Sequence, residues 1–508
     1  MAFGIHPRPM KHRSNSTIGF PHPAYLATVL KPNFQHSVTH FLRPLIEINQ
    51  AHAIMLAHCG IIKSHHASKI LEALHQIISE QKKLEGYRFC GSEEDLFFYI
   101  ERCLASRCGP DISGHLSVAR SRNDVDITLY RMVLRKELLQ TTAQVDGLQQ
   151  VLLRLAEAHT KTIFPVITHT QLAQPSTLGH YLLAAVEFLE RDFFRLSQSF
   201  RSVNHSPLGA CVATTTGFRI DRGLVARLLG FEAVLENAYG CIASVDYLVE
   251  SVGAISTLMV NLGKFIQDLL LWSSQESELM VLPDGFVQCS SIMPQKRNPV
   301  ALEHLRILAS NAIGQCQAVV LGLHNTPFGD IVDVEDDIQP AVRATFEYAS
   351  RVLELLTAVL ESAECNVERA LAKCQGGEIT LTELADWLVR RYELPFRKAH
   401  RIVSEVGQEL RKHPARRQGE SQSKRVSALL ETTSQKLTGK VIKVPPQRVA
   451  QILDPAGFVM IRKVLGGPSP PVVGKSIARH TKRASQHKRW LAEKNKLLAK
   501  YVQQLNNV

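Results

Sequence analysis

Leu248, Val252, Ile255, Met259, Leu262, Ile266 and Leu269 stand 4, 3, 4, 3, 4 and 3 residues apart, an apolar seam of period 3.5 sustained over about three heptads. A helix carrying such a seam must lay it against a helical neighbour over about 30 Å, at ~1.5 Å per residue. The seam therefore predicts the core stripe of a helix bundle. No proline interrupts Asp111 to Phe164 or Leu208 to Leu282, and strand-like alternating runs are scarce. Further long amphipathic segments cover Met132–Ala158, Leu178–Ser202, Val300–Leu323 and Asp336–Leu360. The expected fold is all-α. An elongated central bundle (116–366) is flanked by an N-terminal helical domain with a Pro- and His-rich arm (1–115) and a C-terminal helical domain with a basic tail (367–508). The polar, basic stretch Lys412–Lys424 reads as a surface loop.

At 508 residues, with 45% apolar and 21% charged residues, the chain can bury a large core, and disordered, collagen-like and disulfide-stapled classes are excluded. The net charge of +12 is mostly local: after Pro471 nine Lys and Arg face one acid, Glu493. A solvated helix capping the fold accounts for that run without a nucleic-acid partner, since only Trp490 and Tyr501 interrupt it and no binding motif accompanies it. Ten cysteines form no CxxC pair and none joins a histidine at zinc-finger spacing, so they read as reduced, buried side chains, and no metal is expected. Apolar runs such as Leu269–Trp272 are short and flanked by polar residues, and the N-terminus has no apolar core after its basic residues. These features predict a cytoplasmic protein that does not enter a membrane.

Three segments carry chemistry. Cys289-Ser290-Ser291-Ile292-Met293-Pro294-Gln295-Lys296-Arg297-Asn298-Pro299 reads structurally as a polar loop that Pro299 ends at the first turn of the next helix. Chemically, it sets two hydroxyls, an ammonium and an amide on a loop stiffened by two prolines, groups suited to a carboxylate whose charge grows during reaction. Arg120-Ser121-Arg122-Asn123-Asp124 reads either as a helix cap or as a carboxylate clamp. Thr168-His169-Thr170-Gln171, followed by Ala173-Gln174-Pro175, offers a histidine that is structural or catalytic.

Taken together and in this order, the segments resemble the fumarase/aspartase superfamily, most closely its argininosuccinate lyase branch. The signature loop of that superfamily, approximately GSSxMPxKxNP, differs here only in Cys289. Ser121–Asp124 matches the branch's Ser-Arg-Asn-Asp block and Thr168–Pro175 its Thr-His-x-Gln-x-Ala-Gln-Pro block, while Leu453-Asp454-Pro455 and Gly466-Gly467-Pro468 are similar to its C-terminal segment.

The resemblance implies a three-domain helical fold with a central long-helix bundle. It also implies a homotetramer whose sites gather the three blocks from three subunits, and reversible elimination of an amine from an N-substituted aspartate with release of fumarate. On that basis Ser290 matches the general base, and Lys296 and Asn298 match the groups that stabilise the aci-carboxylate. His169 matches a histidine paired with a glutamate, here Glu303, five residues after Asn298. Ser121, Arg122, Asn123, Thr168, Gln171 and Ser291 would hold the succinyl carboxylates. No cofactor is implied.

The sequence departs from the branch on the amine side. A serine expected in the first domain is Asn49. His115-Leu116-Ser117-Val118-Ala119 replaces a Lys-Leu-His-Thr-Gly run. Phe328 to Asp336 loses a tyrosine, a glutamine and lysines and gains acids, among them Asp330 and Asp333. The pattern predicts a fumarate-releasing carbon–nitrogen lyase of argininosuccinate lyase type. The alternatives are an enzyme acting on a diamine, as in ethylenediamine-N,N'-disuccinate cleavage, and a non-catalytic structural member of the family.

Overall fold

The computed structural model describes residues 20–82, 86–87, 89–375, 378–412 and 421–506. The N-terminal arm up to residue 19 and most of the basic loop expected at 412–424 lie outside the described residues. The N-terminal region supplies α1 (Lys31–His58), α2 (Ser64–Ser79) and α3 (Leu96–Cys108). The bundle follows: α4 (Arg122–Ala158), a hairpin of β1 (Ile163–Thr168) and β2 (Gln171–Thr177), α5 (Leu178–Val203) and α6 (Asp246–Trp272). A short ribbon of β3 (Gln288–Cys289) and β4 (Arg297–Asn298) then leads into α7 (Val300–Leu323) and α8 (Gln339–Ser362). The C-terminal part includes α9 (Leu381–Tyr392), α10 (Phe396–Lys412), α11 (Gln422–Thr438), α12 (Pro446–Leu453), α13 (Pro455–Met460) and α14 (Pro470–Asn506), and shorter helices join these elements.

The five expected long helices are present. α4 packs on α5 and α8, and α6 on α5 and α7, which in turn packs on α8. Every residue of the α6 seam is buried, none more than 1% exposed; each contributes about 1.5–3 kcal/mol relative to exposure. The stretch Ala238–Trp272 is long and apolar enough to cross a bilayer, yet its seam is covered by α5 and α7.

Two apolar cores are distinguishable. The larger runs from Leu30 to Ala370 and takes in the N-terminal helices and the bundle together. The smaller is built from α9 to α12, with Leu388, Ile402, Val406, Leu430 and Val449 at its centre. Although α14 follows the small core in sequence, it packs on α4 and α5 and adds Val473, Ile477, Ala484, Leu491, Leu498, Tyr501 and Leu505 to the large one.

The polar residues that fall in register with this stripe are each matched. His480 reaches Glu190 (2.6 Å), His487 stacks on Phe193 (ring centroids 3.7 Å apart), and Lys494 pairs with Glu232 (2.6 Å). At the far end the Tyr501 ring lies over the buried Arg135 guanidinium (5.1 Å), while its hydroxyl meets Glu47 (3.3 Å). Gly230 at φ +72° lies beneath that ring, where a Cβ would collide with it. The basic tail is thus a docked helix whose buried face is apolar.

Candidate functional site

Ser121 is the N-cap of α4, and with Asp124 it forms a capping box in which the Ser121 N–H donates to Asp124 Oδ1 (2.9 Å). The other Asp124 oxygen accepts the N–H groups of Gly209 (2.8 Å) and Cys211 (3.1 Å), which fixes the start of α4 against that turn. Burial raises the Asp124 carboxyl, and these donors pull it back down. A cap and a candidate ligand site therefore share the same residues.

Around this cap, Arg122 is held by Glu94 (3.1 Å) and Asp95 (3.0 Å), and Asn123 donates to Asp330. The Arg120 side chain is buried, 2% exposed. It donates to Asn49 and Glu101 (3.2 Å), and desolvation lowers its pKa to about 10. Beside it His52 is buried, with its pKa pushed down to about 3 by desolvation and then by Arg120. The ring is therefore neutral and donates from Nε2 to the Val118 carbonyl (2.9 Å). Asn49 is 2% exposed, so it bears on the site through Arg120.

The acids of the Phe328 region do gather at this block. Asp330 takes Asn123, Tyr130 donates to Asp336 (2.9 Å), and the Tyr239 hydroxyl donates to the Phe328 carbonyl (2.7 Å). Burial foremost raises both Glu335 and Asp336 to about 6, and desolvation with the neighbouring acids pushes half-buried Asp126 well above the usual range.

The second block is a hairpin, a form the sequence reading did not anticipate. Ile163 pairs with Thr177 and Thr168 with Gln171, with a register shift at Val166/Ile167. His169 and Thr170 form its two-residue tip, at φ 49° and 60°. Positive φ at both positions is the turn that Asn-Gly normally makes, and for a β-branched threonine it costs on the order of 1–3 kcal/mol. The base of the hairpin fixes it from below: Phe164 packs edge-on against Trp272 (4.7 Å), and Thr177 caps α5 by accepting the His180 N–H (3.1 Å). Thr168, His169 and Gln171 are exposed on this strained tip.

The third block is a ribbon in which Gln288 pairs with Asn298 and Cys289 with Arg297. Arg297 is held by Asp284 and by the Leu282 carbonyl (3.0 Å), and the loop closes through Ser290 N–H to Lys296 O (3.3 Å). Ser290 Oγ accepts the N–H groups of Ile292 (3.3 Å) and Met293 (3.1 Å). Donors aimed at that oxygen favour its charged form over its neutral one. Ser291 and Lys296 are exposed, and Ile292 at the loop tip is 87% exposed. Glu303 lies one turn into α7, also exposed.

Within one chain the structure joins Asn49 to the Ser121 block through Arg120, and joins that block to the Phe328 region. Among the described residues, no hydrogen bond or ion pair links the His169 tip, the Ser290 loop and the Ser121 block. Arg120 and Asp124 lie in the block singled out from sequence but outside its candidate ligands, and His52 is no candidate there; the structure buries all three side chains behind the cap. Their signal is a buried ionisable group beside a cap, which burial alone reveals.

A model of a lyase family matches residues 34–314, and a model of the argininosuccinate lyase C-terminal region matches residues 378–460. Argininosuccinate lyase 2 of Agrobacterium fabrum is 40% identical over 466 residues, which are 92% of this chain and 91% of that one. Argininosuccinate lyase 1 of Shouchella clausii is 34% identical over 90% of each chain. The chain belongs to the argininosuccinate lyase family.

Among solved structures, EDDS lyase in complex with formate superposes with a TM-score of 0.84 at 27% identity over 94% of each chain. Class II fumarase from Schistosoma mansoni, at 17% identity and a TM-score of 0.66, shares the fold over 82% of this chain and 90% of its own. As a member of the argininosuccinate lyase family, the protein is a fumarate-releasing carbon–nitrogen lyase with the fumarase/aspartase fold.

Proposed function

We propose that the protein cleaves argininosuccinate to arginine and fumarate, as a cytoplasmic homotetramer whose sites are completed between subunits. The observation that carries this reading is the separation of three chemical segments, each on its own rigid support: the exposed, strained His169 tip, the exposed Ser290 loop and the half-buried Ser121 cap. An exposed, strained turn and an exposed polar loop gain their purpose when other copies bring them together. Val260 (50% exposed), Ile307 (53%) and Leu321 (71%) on bundle helices α6 and α7 are apolar surface for such copies to cover.

In the assembled site Ser290 takes the proton from the carbon beside the succinyl carboxylate. Lys296 and Asn298 stabilise the doubly charged aci-carboxylate that results, and its collapse breaks the carbon–nitrogen bond. His169, paired with Glu303, moves the proton that the departing amine gains. Thr168, Gln171, Ser291, Ser121, Arg122 and Asn123 hold the carboxylates, and Asn49 sets Arg120 behind them. The 40% identity to an argininosuccinate lyase, against 27% to EDDS lyase, supports arginine as the amine.

The test incubates the purified protein with argininosuccinate and, separately, with ethylenediamine-N,N'-disuccinate, following fumarate by ultraviolet absorbance with Ser290→Ala as control. Fumarate from argininosuccinate, lost in the variant, supports the reading. Fumarate from the diamine substrate alone overturns the choice of amine, and fumarate undiminished in the variant overturns the role of Ser290.

A further inference from the structure

A cleft of about 550 Å³ opens between the first turns of α5, the turn that follows α13 and the first turns of α14. Its walls carry Lys463, Lys475 and Arg479 against one acid, Glu187. Glu187 lies 3.6 Å from His480 Nε2. Among the described residues neither Lys463 nor Lys475 has an ion-pair partner, and Arg479 donates only to Ser476 Oγ (3.1 Å). Farther along α14, Arg483 is matched by Glu190 (2.7 Å) and Lys494 by Glu232 (2.6 Å), while among the described residues Lys482, Lys488 and Arg489 have no ion-pair partner. Three cations against one acid leave the concavity net positive, which draws anions to it.

The cleft is also a built one. His180 Nδ1 accepts from Ser176 Oγ (2.9 Å), so its Nε2 carries the proton and donates to the Gly466 carbonyl (2.8 Å), pinning the turn to α5. Gly466 adopts φ +82°, and the Gly467 N–H closes the turn on the Val464 carbonyl (2.9 Å). A Cβ on Gly467 would strike the Arg462 carbonyl, so the chain needs glycine there. Pro470 and Pro471 lack N–H groups, and the N–H groups of Val472 and Val473 bond the Ser469 carbonyl, so an anion in the cleft meets the side chains of Lys463, Lys475 and Arg479 rather than the helix backbone. Leu183 and Val472 supply an apolar wall beside the cations.

We propose that this cleft binds a compact polyanion, a phosphate ester or a polycarboxylate, through Lys463, Lys475 and Arg479. None of these residues belongs to the proposed lyase machinery, so the inference stands independently of it. The test is isothermal titration of the full chain with pyrophosphate and, separately, with citrate, in the parent protein, a Lys463→Ser/Lys475→Ser variant and a Lys496→Ser/Lys500→Ser control, with folding checked by circular dichroism.

Saturable binding of one anion per chain is expected, weakened at least tenfold in the cleft variant and unchanged in the control. Preference for pyrophosphate assigns the ligand to phosphate esters, and preference for citrate assigns it to polycarboxylates. Absence of saturable binding by either probe, or equal affinity in the parent protein and the cleft variant, overturns the proposal. So does an affinity lost only in Lys296→Ala, which would place the anion at the signature loop.

Discussion

Arg120 and Asn49 lie 71 residues apart in sequence and meet in the interior, the guanidinium donating to the amide oxygen just behind the cap of α4. The amine-side departure from the family at residue 49 is therefore a change in what holds a buried cation. Asn49→Leu leaves Arg120 with Glu101 as its remaining side-chain acceptor. The expected loss is about 1–3 kcal/mol in chemical denaturation, with Asn49→Ser losing less because a hydroxyl still accepts. Equal stability of Asn49→Leu and the parent protein would refute this.

Ser290→Ala is expected to lower kcat for fumarate release by on the order of 10²–10⁴, the usual contribution of a positioned general base. The loop is exposed and adds little to the core, so the thermal midpoint should stay within error of the parent value. A parallel loss of stability would show a structural role instead.

Thr170→Gly relieves the positive-φ threonine at the hairpin tip, offset in part by the greater freedom of glycine in the unfolded chain. Stability should rise by about 1 kcal/mol while kcat falls, because His169 loses its fixed aim. Unchanged kcat together with raised stability would mean that the strain serves no catalytic purpose.

Asp336, pushed up to about 6 mainly by burial, makes stability fall with pH. Its native pKa lies above the unfolded value near 4, so the folded state holds the proton more tightly. The contribution is complete below about pH 4 and is lost as pH rises through about 6. Asp336→Asn should flatten that decline, giving a protein more stable than the parent at pH 7 by on the order of 1–3 kcal/mol and no different at pH 4. Urea midpoints across this window decide the matter, and a parent profile that rises with pH through it would contradict the assignment.

Tyr501→Ala removes a ring that covers buried Arg135 and should cost about 3–5 kcal/mol, whereas Tyr501→Phe keeps the ring and loses about 1 kcal/mol with the contact to Glu47. Similar values for the two variants would shift the weight from packing to the hydroxyl.

The bundle was legible because its helices are long and regular: the Leu248–Leu269 spacing and the proline-free tracts mark α5 to α8 within a few residues, while α4 begins ten residues before the expected Met132, at the Ser121 cap. The hairpin was hidden by Pro165 and Pro175 within its strands and by a His-Thr tip where Asn-Gly is the familiar signal. α14 was visible as a helix, yet its docking face was not. Val473, Ile477, Ala484, Leu491 and Leu498 keep the 3.5 period only when His480, His487 and Lys494 are counted with them, and charged residues conceal such a stripe until their partners on α4, α5 and the 232 region are known. The Ser121 block announced both a cap and a ligand site, and the cap is present. Its ties to Glu94, Asp95 and Asp330 join residues too distant in sequence for spacing to reveal.

The return of α14 onto α4 also bears on biosynthesis. Roughly 300 residues separate the helix from the surface it covers, so at ~5–20 residues per second the groove holding Arg135 waits some 15–60 s for its lid while the ribosome works. Through that interval a nascent chain displays an apolar trough with a positive charge at its floor, the kind of surface that chaperones engage. A chain ending before Pro470 lacks the helix that covers this trough.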